Sequence, residues 1–274
     1  MGTNSIKANL TKDSIISDIK LLLGADVNKK NVFIVVEGDD DIKFLKGFMN
    51  NNVTIYESFS GKNGIEEIID SNVICDSRVI GIRDKDYCKC TKNHRIFFYD
   101  RCCLEMMIIG FDESFDRIYN EYYQGELDAK ELKKHILNEL YKLSKIRKHN
   151  EECNIGINFK GLSFISLIDN DGKLDEEKLI YGIEKINSGK QYNFRDIILN
   201  SEDVPINDLL DITNGHDFIA FFKVLCDKNC NQSVNDKGIS SALRVSFNNE
   251  LLQKTALYKT INDYFDNEIS VWCC

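Results

Sequence analysis

Apolar residues in the first third of the chain follow two alternating rhythms. Ser14 to Leu23 carries them at helical spacing and stops at Gly24, which predicts a helix. Val32 to Val36 is an unbroken, mostly β-branched apolar run, the pattern of a strand buried on both faces. Val53–Tyr56, Val79–Ile82 and Arg95–Tyr99 predict three further strands, while Asp39–Met49, Gly64–Ile69 and Cys102–Ile109 read as helices. This β-α-β-α-β-β-α order implies an α/β fold, a mostly parallel four-stranded sheet flanked by helices.

Past Gly110 the rhythm becomes helical. Leu132, Ile136, Leu140, Leu143 and Ile146 fall on one stripe of a predicted helix over Asp128–Lys148. Pro205 sits where a helix can begin, Gly215 precedes a helix over His216–Cys226, and Tyr258–Phe265 predicts a last one. The expected organisation is an α/β domain over 1–110 followed by a C-terminal helical subdomain over 111–274.

Composition narrows the class. With 274 residues, 43% apolar and 29% charged, the chain can bury a sizeable core. No apolar run approaches the roughly 20 residues of a membrane span, and the opening MGTNSIKANLTKDS lacks an apolar leader, so a cytoplasmic protein with no membrane association is expected. Ten cysteines without a CxxC pair read as reduced thiols. A zinc set drawn from Cys88, Cys90, His94 and Cys102 or Cys103 is conceivable but lacks knuckle spacing. A formal net charge of −9 argues against a uniformly basic coat for nucleic acid, yet leaves room for a local basic strip beside an acidic site.

The candidate chemistry lies where two apolar strands end in acids. Val32–Val36 runs directly into Glu37-Gly38-Asp39-Asp40-Asp41, and Val79–Ile82 into Arg83-Asp84-Lys85-Asp86. Ligand sites in open α/β sheets lie beyond the carboxyl ends of strands, so Glu37 is expected in such a crevice. Asp39 and Asp40 also suit the first turn of the following helix, a role that does not account for Glu37. If the two strands are neighbours, Glu37, Asp84 and Asp86 converge, and clustered carboxylates resist ionising together without a cation. All-oxygen donors favour Mg2+ or Mn2+ over zinc.

Val36-Glu37-Gly38-x-x-Asp41 resembles the first motif of the toprim domain, and Asp84-Lys85-Asp86 resembles its DxD motif. Toprim domains occur in topoisomerases, bacterial primases and overcoming-lysogenization-defect nucleases. Together with Leu104-Glu105 and Asn214-Gly215-His216-Asp217, these segments resemble a toprim-like family encoded beside ABC-type ATPases, which includes the nuclease subunit of the PARIS antiphage defence system. The toprim match covers roughly 30–110. The resemblance implies Asp84 and Asp86 as magnesium ligands, Glu37 as ligand or general base, and Asp41 and Glu105 as further metal candidates. It also implies a nucleic acid substrate such as tRNA and a partner ATPase that controls the chain, with release into a homodimer as one form of control.

Positive charge to hold a strand is sought in Leu127–His149, where Lys130, Lys133, Lys134, Lys142, Lys145, Arg147 and Lys148 face three acids. Lys62, in the turn Ser60–Gly64, is placed to approach phosphate, and His216 and Lys223 are further substrate-binding candidates. Two other readings compete with the nuclease: a phosphatase or phosphotransferase of another α/β class, which would place an aspartate where Glu37 stands, and a non-catalytic sensor or adaptor that binds an ATPase.

Overall fold

The computed structural model of the chain describes residues 10–88, 93–190, 192–198, 204–229, 235–266 and 268–273. Two compact units are present. One comprises Met1–Asp100 with Asn248–Cys274, and the other Arg101–Phe247.

The first unit begins with α1 (Lys12–Ala25), β1 (Val32–Val36), α2 (Asp39–Leu45), β2 (Val53–Glu57), α3 (Gly61–Ile69), β3 (Val79–Arg83) and β4 (Ile96–Phe98). Its sheet has the order β2-β1-β3-β4 with every pair parallel, so the expected α/β architecture is what the chain adopts. Both central strands are buried at every position, as their unbroken apolar sequences require. Ile15, Ile16 and Ile19 of α1 and Ile65, Ile68 and Ile69 of α3 form one core with Phe33, Val35 and Val79. Because side chains alternate along a strand, Val32, Ile34 and Val36 face the opposite side and are equally buried. Each such aliphatic side chain contributes about 1.5–3 kcal/mol through burial. Gly81 is the point of closest approach: a Cβ there would lie 2.5 Å from Ile65 Cγ2, so glycine lets α3 press onto β3.

Local chemistry moves several boundaries from their predicted places. Helix α1 starts before Ser14 because Thr11 and Ser14 form a reciprocal cap, Thr11 Oγ1 accepting from the Ser14 N–H at 3.2 Å and Ser14 Oγ from the Thr11 N–H at 3.1 Å. Gly24 is carried inside the helix rather than ending it. Helix α2 ends at Leu45 instead of Met49, and Met49 is drawn into an antiparallel bridge with Trp272.

Among its described residues the second unit is built of helices, with one isolated antiparallel bridge between Ile168 and Leu174: α4 (Leu104–Ile109), α5 (Asp112–Tyr122), α6 (Ala129–Glu152), α7 (Phe164–Leu167), α8 (Glu176–Ile186), α9 (Arg195–Ile198), α10 (Ile206–Ile212), α11 (Gly215–Asn229) and α12 (Asp236–Ser246). Helix α6 carries the predicted stripe, with Leu132, Ile136, Leu140, Leu143 and Ile146 all buried, and Asp128 caps it by accepting from the Glu131 N–H at 2.8 Å. Pro205 stands at the start of α10, as expected. Phe115 packs edge-on against Phe218 and Phe222 of α11 at 5.8 and 5.9 Å.

The division therefore falls after Asp100 rather than at 110, and the end of the chain returns to the sheet unit. Buried Met106, Met107, Ile108 and Ile109 pack α4 with the helices of the second unit. Helices α13 (Asn249–Lys254) and α14 (Ala256–Tyr264) belong to the first, where the Asp100 carboxylate accepts from the Ala256 and Leu257 N–H groups at 2.8 and 3.0 Å. Cys273 N–H donates to Phe48 carbonyl at 2.7 Å, closing the return. Among the described residues no helix is long and apolar enough to cross a membrane.

Candidate active site

In the first unit, β1 and β3 are parallel, hydrogen-bonded neighbours at the centre of the sheet, so the acids that follow them meet at its carboxyl end. Glu37 Oε1 accepts from the Asp84 N–H at 2.9 Å, tying the two strand ends together. The third contributor is the turn after β2. Lys62, in the first turn of α3, places Nζ 3.0 Å from Asp86 Oδ2, and a Cβ on Gly61 would stand 3.8 Å from Glu37 Oε2. Gly61 has φ +53° and Asp86 φ +48°, so both turns pass through the left-handed region to reach the site.

Burial raises the Glu37 carboxyl above its ordinary value, and the negative charge of Asp86 adds to the effect. The Asp84 N–H, Arg83 and Lys62 act in the opposite direction. Asp41 is buried and its Oδ2 accepts from the Gly38 N–H at 2.9 Å, so this carboxylate closes the β1–α2 turn. Asp39 and Asp40 are exposed and pair with Lys43, as first-turn acids do.

Two residues that sequence reasoning passed over complete the surroundings. Tyr99, just beyond β4, is fully buried, and its hydroxyl lies toward the Asp41 carboxylate without the alignment of a well-formed hydrogen bond. Burial first, then Asp41, Asp84 and Glu37, hold its phenol well above the usual range. Its position as the last residue of the fourth predicted strand, in line with the acidic ends of the others, was the available signal. Arg83 is buried, with Nη1 3.3 Å from Glu66 Oε1 and its guanidinium 5.2 Å from the centre of the Phe98 ring, so a positive charge stands behind the Asp84 segment.

As a cation site the donor chemistry fits a hard divalent ion: the candidate donors are oxygens, Glu37 is pushed up by burial and then by the Asp86 carboxylate, and an ammonium already stands against Asp86. Their present placement is another matter. Among the described residues no three His, Cys, Asp or Glu side chains converge to hold a metal. Glu37 is engaged by Asp84, Asp86 by Lys62, and Asp41 by Gly38. Of the conceivable zinc set, Cys90 lies outside the described residues.

The remaining candidates belong to the second unit. Glu105 is largely buried on α4, with Oε1 3.8 Å from His216 Nδ1. A Cβ on Gly215 would come 2.6 Å from the Glu105 Cβ, so glycine is what admits this contact between the Leu104-Glu105 and Gly215-His216-Asp217 segments. Arg147 is held by Asp217 through two bonds, Nε to Oδ2 at 2.5 Å and Nη2 to Oδ1 at 2.7 Å, and lies 4.4 Å from the centre of the Phe159 ring. Lys142 pairs with Glu176 at 3.0 Å, Lys223 with Asp227, and Lys133 with Asp112. Much of the basic helix is thus committed to internal ion pairs. Lys145 stands over the Tyr141 ring and lines a cleft.

No family model matches the chain, and no curated protein matches it either.

Proposed function

We propose that the chain is a cytoplasmic, magnesium- or manganese-dependent nuclease of the toprim kind, hydrolysing phosphodiester bonds at the strand ends of the first unit. The observation that carries this reading is the 2.9 Å bond from the Asp84 N–H to Glu37 Oε1, which joins the two acidic segments bearing the toprim-like motifs. Asp84 and Asp86 would hold the ion, with Glu37 either a further ligand or the general base. The ion would polarise a phosphoryl oxygen and lower the pKa of a bound water. Glu37, held toward its protonated form by burial, is suited to take or return a proton at its carboxylate. Lys62, if it exchanges Asp86 for the substrate, supplies an ammonium to a phosphate oxygen. The Gly61 backbone leaves room for close approach.

The resemblance to a family encoded beside ABC-type ATPases further supports a role as an antiphage defence effector acting on nucleic acid such as tRNA, held in check by that ATPase. One observation favours the non-catalytic adaptor instead: Lys62 already supplies Asp86 with a positive partner. The experiment that separates them is incubation of the purified chain, with and without its neighbouring ATPase, with plasmid DNA and total tRNA in Mg2+ or EDTA. New ends formed only with Mg2+ support the nuclease. Intact substrates in every mixture, together with a stable complex with the ATPase, support the adaptor.

A further inference from the structure

The second unit contains a cleft of about 710 Å3 lined by Tyr141, Lys145, His149, Tyr192, Asn193 and Asp196. Tyr141, Lys145 and His149 recur every fourth residue and so form one row along α6. Lys145 Nζ lies 5.4 Å from the centre of the Tyr141 ring. Across the cleft, the Tyr192 hydroxyl is bonded to His149 Nε2, and the two rings stand 5.7 Å apart at 48°. Tyr192 also rests against Phe194 at 5.3 Å, and Phe194 is only 2% exposed, so the tyrosine ring is fixed before any ligand arrives. Beside it, Asn193 Nδ2 donates to Asp196 Oδ2 at 2.7 Å, setting an amide and a carboxylate on one edge.

A second cavity of about 590 Å3 shares Tyr192 and Asn193 and adds Glu184 and Lys190. Tyr192 and Asn193 therefore form a ridge with a cavity on each side and a lysine in each. Flat π faces, an ammonium, and an adjoining donor and acceptor match a ligand that is planar, polar at its edge and anionic nearby. That is the chemistry of a nucleobase with its phosphate. An apolar ligand would take the Lys145 ammonium and the Asn193–Asp196 pair out of water, at a cost for each. A bare cation would find one carboxylate in the main cleft.

We infer that this cleft binds an unstacked nucleobase, stacked on Tyr192 with its phosphate toward Lys145. The cleft belongs to the second unit and the strand-end carboxylates to the first, and binding in the cleft does not depend on the hydrolytic reading. The bound base comes either from a single-stranded nucleic acid or from a free nucleotide.

The test uses the full chain in EDTA, so that binding is read without cleavage. Fluorescein-labelled U12 and dT12 are titrated by anisotropy, and AMP and UMP by calorimetry. Tyr192→Ala should weaken the ligand that binds by roughly 5- to 150-fold, the range of one base–aromatic stack. Tyr192→Phe, which keeps the ring and guards against misfolding as the cause, should bind within about twofold of the parent. Ring-dependent binding of the oligonucleotides far above the mononucleotides identifies a strand, and Lys145→Gln should then lower the salt slope by about one. Ring-dependent binding of mononucleotides with no gain from chain length identifies a free nucleotide. No binding by the parent, or equal binding by the parent and Tyr192→Ala, overturns the inference.

Discussion

Lys62 Nζ stands 3.0 Å from Asp86 Oδ2, so the chain carries its own counter-ion at the site where an external cation is proposed to bind. The pair is about one-third exposed on either side, which limits its worth to about 1 kcal/mol. Lysine and divalent ion then compete for one carboxylate. Lys62→Met is expected to strengthen Mn2+ binding about fivefold while weakening phosphate-dependent steps, and electron paramagnetic resonance titration of free Mn2+ reads the first effect directly. Unchanged Mn2+ affinity would show that the lysine does not compete.

The DxD segment should make stability respond to metal. Magnesium at a hundredfold excess over its Kd is expected to stabilise the parent chain by about 2.7 kcal/mol and to leave Asp84→Asn with Asp86→Asn unmoved. In metal-free buffer the double variant gains relief from carboxylate repulsion but loses the Lys62 pair, so a small net change is expected. Thermal unfolding with and without Mg2+ checks both statements, and equal magnesium shifts in the two proteins would remove these residues from the site.

Glu37 predicts a pH signature. Burial holds its folded-state carboxyl above its ordinary value, so between that value and the folded pKa the native state binds more protons than the unfolded chain. Stability from this group therefore falls as pH rises through that window. Glu37→Gln should flatten the decline in metal-free buffer, and urea unfolding at a series of pH values measures it. A parent and variant with parallel pH profiles would contradict the assigned environment.

Arg147 was expected to hold a nucleic acid strand, and the structure gives it an internal task. Asp217 is buried, and both of its oxygens are taken by the Arg147 guanidinium. Removing one partner leaves the other charge poorly compensated, so Asp217→Asn should cost about 3 kcal/mol in chemical denaturation. A loss below about 0.5 kcal/mol would return Arg147 to the list of available cations.

What the sequence made legible, and what it hid, follows from how far apart the determinants lie. Strands β1 and β3 were readable because Val32–Val36 and Val79–Ile82 are unbroken apolar runs, and the acids directly after them marked the ends that the sheet brings together. The role of Thr11 in α1 escaped because its partner Ser14 is an ordinary polar residue with no apolar rhythm. The return of the chain end to the first unit depends on Trp272 pairing with Met49 and on Asp100 accepting from Ala256 and Leu257, contacts that no local pattern encodes. Likewise the match of Arg147 to Asp217 spans two helices whose charges looked independently solvated. Lys62 was noticed for phosphate, yet its partner Asp86 could be found only once the β2 and β3 ends stood beside β1.

The central claim rests on Glu37 and is tested most directly by comparing the parent chain with Glu37→Ala on plasmid DNA and total tRNA across a Mg2+ titration, with circular dichroism confirming equal folding. Magnesium-dependent cleavage by the parent, reduced at least about 100-fold in the variant, is the predicted result. Cleavage by a folded Glu37→Ala chain at the parent's rate would contradict it.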